Sequence, residues 1–182
     1  RRALREVRRG RTVALVSSGD PGIYGMAGLA LEMCEAEEDL NLPVEIVPGV
    51  TAASSAAARL GAPLMLDFAC ISLSDLLVPW ERIRERLEAV AAADLVCVLY
   101  NPNSKKRTEN LRKAREIFLR HRPRHTPVGV GTAVGREEER IVLTDLKELP
   151  EEEIDMRSTV IIGNRSSREV AGLLLTRRGY EL

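Results

Sequence analysis

Three stretches of the 182-residue sequence combine small, polar and turn-forming residues in a way that could hold a ligand. In the first, residues 17–25, glycines stand at 19, 22 and 25 around Asp20 and Pro21, between the apolar run 13–16 and a helical pattern. Glycines placed there let backbone N–H groups approach a ligand at the positive end of a helix. The spacing is not that of a dinucleotide fingerprint or of a lysine-bearing phosphate loop, and a plain turn would have the same composition. In the second stretch, Pro48, Gly49, Val50 and Thr51 lead into an unbroken run of alanine and serine over 52–58. Small side chains admit a flat ligand or a closely packed sheet, and Thr51 can cap the helix or meet a ligand hydroxyl. In the third, the apolar run 95–100 ends in Tyr100 and Asn101, before Ser104 and the cations Lys105, Lys106 and Arg107. A polar pair directly after a core strand can address a heterocycle, and the cations can meet carboxylates. An Asn-Pro turn with a solvated helix start is the structural alternative.

Other chemistries find little support. His121 and His125 flank Pro123 at what reads as a helix end, and Cys34, Cys70 and Cys97 have no C-x-x-C spacing. The thiols read as small core residues of a reducing cytoplasm, and no metal site is expected. No Ser/His/Asp triad can be placed, because neither histidine sits at a strand end. Lys plus Arg, 27, equal Asp plus Glu, 27, so no overall field favours nucleic acid. The apolar runs also fall far short of the roughly 18 residues that a membrane helix needs.

The elements that must position these stretches follow from periodicity. Residues 13–16 predict a strand buried on both faces and 44–47 a second strand; Met26, Leu29, Ala30 and Met33 share a helix face, and 51–60 predicts a second helix. Strand, helix, strand, helix is the pattern of parallel crossovers, whose ligands bind at the carboxyl ends of the strands. Gly61 and Pro63 break the second helix, which gives a first α/β domain over 1–62, a linker over 63–69 and a second α/β domain over 70–182. There, strands are expected near 70–73, 95–100, 128–134 and 140–146, with 159–162 as the last. One helix opens at Pro79 and carries Trp80, Ile83, Leu87 and Val90 on one face; another carries Leu111, Ala114 and Phe118. The short connections between the final strands require antiparallel pairing. Residues 1–9, rich in arginine, read as the tail of a helix.

Taken in order, the loop from Gly19 to Gly25, the turn from Pro48 to Ala52, and the segments 61–65, 67–75, 79–80, 100–104, 160–164 and 178–180 resemble the tetrapyrrole methylases. The likeness covers nearly the whole chain and is nearest to the branch that methylates C17 of precorrin-3B or cobalt-precorrin-3, with ring contraction, in cobalamin biosynthesis. It implies the tetrapyrrole methylase fold: two α/β domains, a parallel sheet in the first and a mixed sheet in the second. It also implies a cytoplasmic homodimer and a C-methyltransferase that uses S-adenosyl-L-methionine, held in the cleft between the domains, on a tetrapyrrole substrate. Carried over by position, the cofactor contacts fall on Ser18, Gly19, Asp20, Ile23, Thr51, Ala52, Asn101, Ala133 and Val134. Tyr100, Lys105, Lys106 and Arg107 are the implied substrate contacts. Asp67 is the candidate for acid/base work or substrate orientation, with a capping or interdomain hydrogen bond as its alternative.

Two departures stand out. The family's opening strand and Gly-x-Gly-Pro-Gly loop have no match, so an N-terminal strand, loop and helix, about 50 or more residues, are expected to be missing. Leu66 stands where the branch often has histidine. Another corrin-pathway C-methyltransferase and a catalytically silent binding protein of the same fold remain alternative readings.

Overall fold

The computed structural model describes residues 1–36, 42–104, 108–149 and 153–180. Contacts divide the chain into two compact units, Arg1–Ala52 and Ala53–Leu182.

The second unit holds all the strands found among the described residues. Its five-stranded sheet comprises β2 (Phe68–Ser72), β3 (Val96–Tyr100), β4 (Pro127–Thr132), β5 (Arg140–Asp145) and β6 (Ser158–Ile162), in the order β2-β3-β6-β4-β5. The pairing of β2 with β3 is parallel and the remaining pairs are antiparallel; the short connection from β4 to β5 requires this of that pair. A three-stranded sheet joins β1 (Gly61–Ala62), β8 (Leu173–Thr176) and β7 (Ser167–Val170). Here β1 runs parallel to β8, and β7 and β8 form a hairpin. The expected α/β architecture, with parallel and mixed pairing, is therefore present.

Alternation along β3 sends its side chains to two cores. Cys97 and Leu99 pack with Ile83 and Leu87 of α4 (Trp80–Ala92) and with Leu111 and Phe118 of α5 (Glu109–His121). Val96, Val98 and Tyr100 pack instead with Ala53, Ala56 and Leu60 of α3 (Ala52–Leu60). The alanine stripe of α3 thus serves tight packing against the sheet, and two glycines of β4 make room for it. A Cβ on Gly131 would come within 3.1 Å of the Ala56 Cβ and within 2.9 Å of Val134, and one on Gly129 would press on Leu60. This packing places α3 in the second unit. Arg122, immediately after α5, is buried; its guanidinium donates to the Leu95 carbonyl at 2.5 Å and to that of Gly163, and lies 4.6 Å from the Phe118 ring centroid. It ties the end of α5 to the starting end of β3.

Two expectations are corrected. Residues 159–162 are not the last strand: β7 and β8 follow, joined at Ala171 and Gly172, both with positive φ (52° and 75°) as a two-residue hairpin turn requires. The second correction lies in the first unit. It contains α1 (Arg2–Arg8) and α2 (Ala27–Glu35), but residues 13–16 and 44–47 form no strand. An apolar run becomes a strand only where a neighbouring backbone takes its ladder bonds, and among the described residues neither run has such a neighbour. Residues 13–15 and 44–47 instead line an apolar groove of about 520 Å³ with Leu29 and Met33 of α2.

Candidate functional site

In the first unit the two glycine-containing loops are joined by one side chain. The Asp20 carboxylate accepts from the Gly22 N–H at 2.8 Å through Oδ1 and from the Gly49 N–H at 3.1 Å through Oδ2. The bond from Gly49, then that from Gly22, holds the Asp20 carboxyl below the usual aspartate range, with the Ile23 N–H adding to the effect. Gly49 is required sterically, since a Cβ there would collide with the Gly19 carbonyl oxygen. Gly19 itself has φ +76°. The resulting loop pair leaves Ser18, Gly19 and Ile23 exposed, with Thr51 half-buried and Ala52 exposed at the start of α3.

In the second unit, β3 and β4 both run antiparallel to β6 and therefore run in the same direction as each other, as does β2. Leu99 and Val130 both face Val160, and Ser72 faces Tyr100, so the carboxyl ends of the three strands share one sheet edge. Immediately past that edge, Asn101 (φ 51°) and Ala133 (φ 49°) are left-handed, a conformation that asparagine tolerates and that costs alanine roughly 1–2 kcal/mol. Strain of this kind gathers where the backbone is held for a purpose. The Asn101 Nδ2 donates to the Ser72 hydroxyl at 2.9 Å, which also accepts from the Ser74 N–H at 3.2 Å. The Ala133 N–H donates to the Arg157 carbonyl at 3.0 Å. Tyr100 is buried, and its hydroxyl accepts the Ala53 N–H at 2.8 Å, satisfying one of the first-turn amides that a helix leaves unpaired. Val134 packs against the α3 face of the sheet.

Asn101, Ala133 and Val134 are thus brought together at one edge, and Ser18, Gly19, Asp20 and Ile23 are fixed with Gly49 in one loop pair. Asp67 is not part of the edge group. It is exposed just before β2, at the opposite end of the sheet and roughly 16 Å from the Asn101 edge at strand spacing. Lys105, Lys106 and Arg107 lie outside the described residues. Burial pushes the Cys97 thiol up to about 12 and raises that of Cys70, so neither is a nucleophile at neutral pH. Sequence reasoning missed Ser72, which holds Asn101, and the Gly129 and Gly131 pair. Glycine at alternate positions within a strand was the available signal, because it marks a close approach.

Co-directional strands that end at one sheet edge, with left-handed backbone just past two of them, are the arrangement at which open α/β sheets generally bind ligands. The chain belongs to the tetrapyrrole (corrin/porphyrin) methylases, whose family model matches residues 1–150. It is 47% identical over 173 residues to the "probable cobalt-factor III C(17)-methyltransferase" of Salmonella typhimurium, covering 95% of this chain and 71% of that protein. It is 43% identical over 182 residues to the "cobalt-factor III methyltransferase" of Priestia megaterium, covering 98% of this chain but only 34% of that one. The crystal structure of the methyltransferase CobJ superposes with a TM-score of 0.92 at 37% identity, over 97% of this chain and 74% of that structure. No helix among the described residues is long and apolar enough to cross a membrane.

Proposed function

We propose that the chain carries the cofactor-holding and substrate-holding parts of an S-adenosyl-L-methionine-dependent C-methyltransferase. In this reading it methylates C17 of a precorrin-3-type macrocycle, with or without cobalt, and contracts the ring in cobalamin biosynthesis. The observation that carries the reading is the pair of left-handed residues, Asn101 and Ala133, just past the ends of two co-directional strands. The names of the relatives supply the substrate class.

The residues fit the cofactor. Its adenosine and methionine ends need close backbone approach and a few polar groups. The loops supply glycine at 19 and 49, exposed Ser18, and backbone at 101 and 133 turned into a conformation that strands do not use. Asp20 acts by holding the first loop onto the second through the Gly49 amide while the Gly22 amide fixes its own turn, and Thr51 and Ala52 add the start of α3. When bound, the cofactor supplies a sulfonium methyl group to an electron-rich ring carbon. The chain's own part is orientation and the exclusion of water, which can supply most of the acceleration of an in-line transfer. Tyr100, through its bond to Ala53, fixes α3 beside the edge, while Lys105, Lys106 and Arg107 meet the carboxylates at the rim of the substrate. The free cysteines suit a reducing cytoplasm, and homodimeric assembly belongs to the same reading.

The test is methyl transfer by the full-length protein from labelled cofactor to each candidate tetrapyrrole. A C17-methylated, ring-contracted corrin product is the expected outcome. Methylation of uroporphyrinogen alone would overturn the branch assignment, and a failure to bind cofactor at millimolar concentration would overturn the enzyme reading.

A further inference from the structure

Beyond the strand edge, the loop from Ala133 to Glu139 is closed by its own last residue. The Glu139 Oε2 accepts the Gly135 N–H at 2.8 Å, while Oε1 takes both the Nε of Arg59 at 2.7 Å and its Nη2 at 2.6 Å. Arg59 sits in the last turn of α3, and Glu139 lies directly before β5. One carboxylate therefore spans three parts of the second unit: the loop after β4, the start of β5 and the helix that packs on the sheet. The bonds from Gly135 and Arg59 hold the Glu139 carboxyl below the usual glutamate range, so it is charged at neutral pH. Two further hydrogen bonds shape the same loop, the Arg136 N–H to the Ala133 carbonyl at 3.0 Å and the Glu139 N–H to that of Arg136 at 3.1 Å. No packing argument requires the pair. The Arg59 side chain is 59% exposed, and an ion pair with such a solvated partner contributes little to folding. What it does restrict is the position of residues 133–135 relative to α3.

We propose that Glu139 and Arg59 are positioning residues that clamp the loop after β4, so that the left-handed backbone at Ala133, with Val134 directly after it, is presented to the cofactor in one conformation. The proposal rests on the cofactor reading given above. An ordered loop spares the ligand the entropy of ordering it, so the clamp acts on affinity rather than on stability.

The experiment measures S-adenosylhomocysteine binding to the full-length protein by calorimetry, with thermal unfolding in parallel, for wild type, Glu139→Gln, Arg59→Ala and Arg59→Lys. Glu139→Gln and Arg59→Ala are each expected to raise Kd about threefold to fivefold, with Tm unchanged and kcat at saturating cofactor retained. Arg59→Lys, which keeps the charge, should retain most of the affinity. The wild-type Kd should also rise with salt, and that of Arg59→Ala should not. Wild-type affinity in both disrupting variants would overturn the clamp, and so would a fall in Tm that tracks the lost affinity. If wild type itself fails to bind, the cofactor reading falls instead.

Discussion

The two units carry similar apolar patterns with different results. In the second, Val96, Cys97, Val98 and Leu99 are all fully buried, flanked by ladders on both sides and by helices on both faces. In the first, Val16 and Val47 belong to runs of the same kind, yet they are 86% and 69% exposed, and Ala27 is the one buried residue among those described. Hydrophobic pattern states what a segment can bury; ladder partners decide whether it does. The difference also separates two ways of holding a loop. In the second unit the loops hang from a packed sheet, whereas in the first the loop pair is held by Asp20 and a glycine contact.

The contrast breaks most visibly in stability. Phe118→Ala, in the core between α4, α5 and the sheet, is expected to cost ~3–5 kcal/mol, because the side chain is fully buried. Leu29→Ala in the first unit, where the side chain is 54% exposed, should cost under ~1 kcal/mol. Urea unfolding of the two variants measures both, and equal losses would refute the contrast. A smaller effect is expected for Gly131→Ala, since its new Cβ would crowd both Ala56 and Val134. Overpacking of that kind costs ~1–3 kcal/mol. It should also weaken S-adenosylhomocysteine binding, because Val134 and α3 would be pushed apart.

The same contrast sets what could be read from sequence. The faces of α4 and α5 and the strands β3 to β6 were legible, because one dominant period marks each and each meets a partner. The β7–β8 hairpin was not: Arg168 and Glu169 break the apolar pattern of β7, and its Ala171-Gly172 turn is not one of the strongest turn pairs. The loops of the candidate site were legible as composition, and the resemblance gave them roles. Ser72 and the Arg59–Glu139 pair were illegible, because Ser72 lies 29 residues from Asn101 and Arg59 lies 80 residues from Glu139, and no local rule connects them.

Asp20 offers the sharpest test of the loop pair. Asp20→Asn leaves one carboxamide, which cannot accept both the Gly22 and the Gly49 N–H through two equivalent oxygens. Cofactor affinity is expected to fall about tenfold while urea unfolding of the second unit is unchanged. The pH dependence follows from the sign of the shift. The folded carboxyl titrates below its ordinary value of 3.8, so the clamp is complete above that value and is lost as pH falls through the lowered one. Binding measured from pH 7 down to the onset of acid unfolding should stay flat until that window in wild type. An earlier loss of affinity would show that another group governs the site.

The smallest effect on binding is expected at Asp67. Its place at the start of β2 puts it a strand length from Asn101 and Ala133, so Asp67→Asn should leave the S-adenosylhomocysteine Kd within about twofold of wild type. Turnover is the separate question. If Asp67 moves a proton during ring contraction, the substitution should lower kcat by about 100-fold or more at unchanged cofactor affinity, and methylated but uncontracted product should accumulate. If it only orders the chain before β2, the ratio of contracted to uncontracted product should stay as in wild type and only Tm should move. A raised cofactor Kd would contradict both outcomes, because it would place Asp67 with the strand-end group from which the sheet separates it.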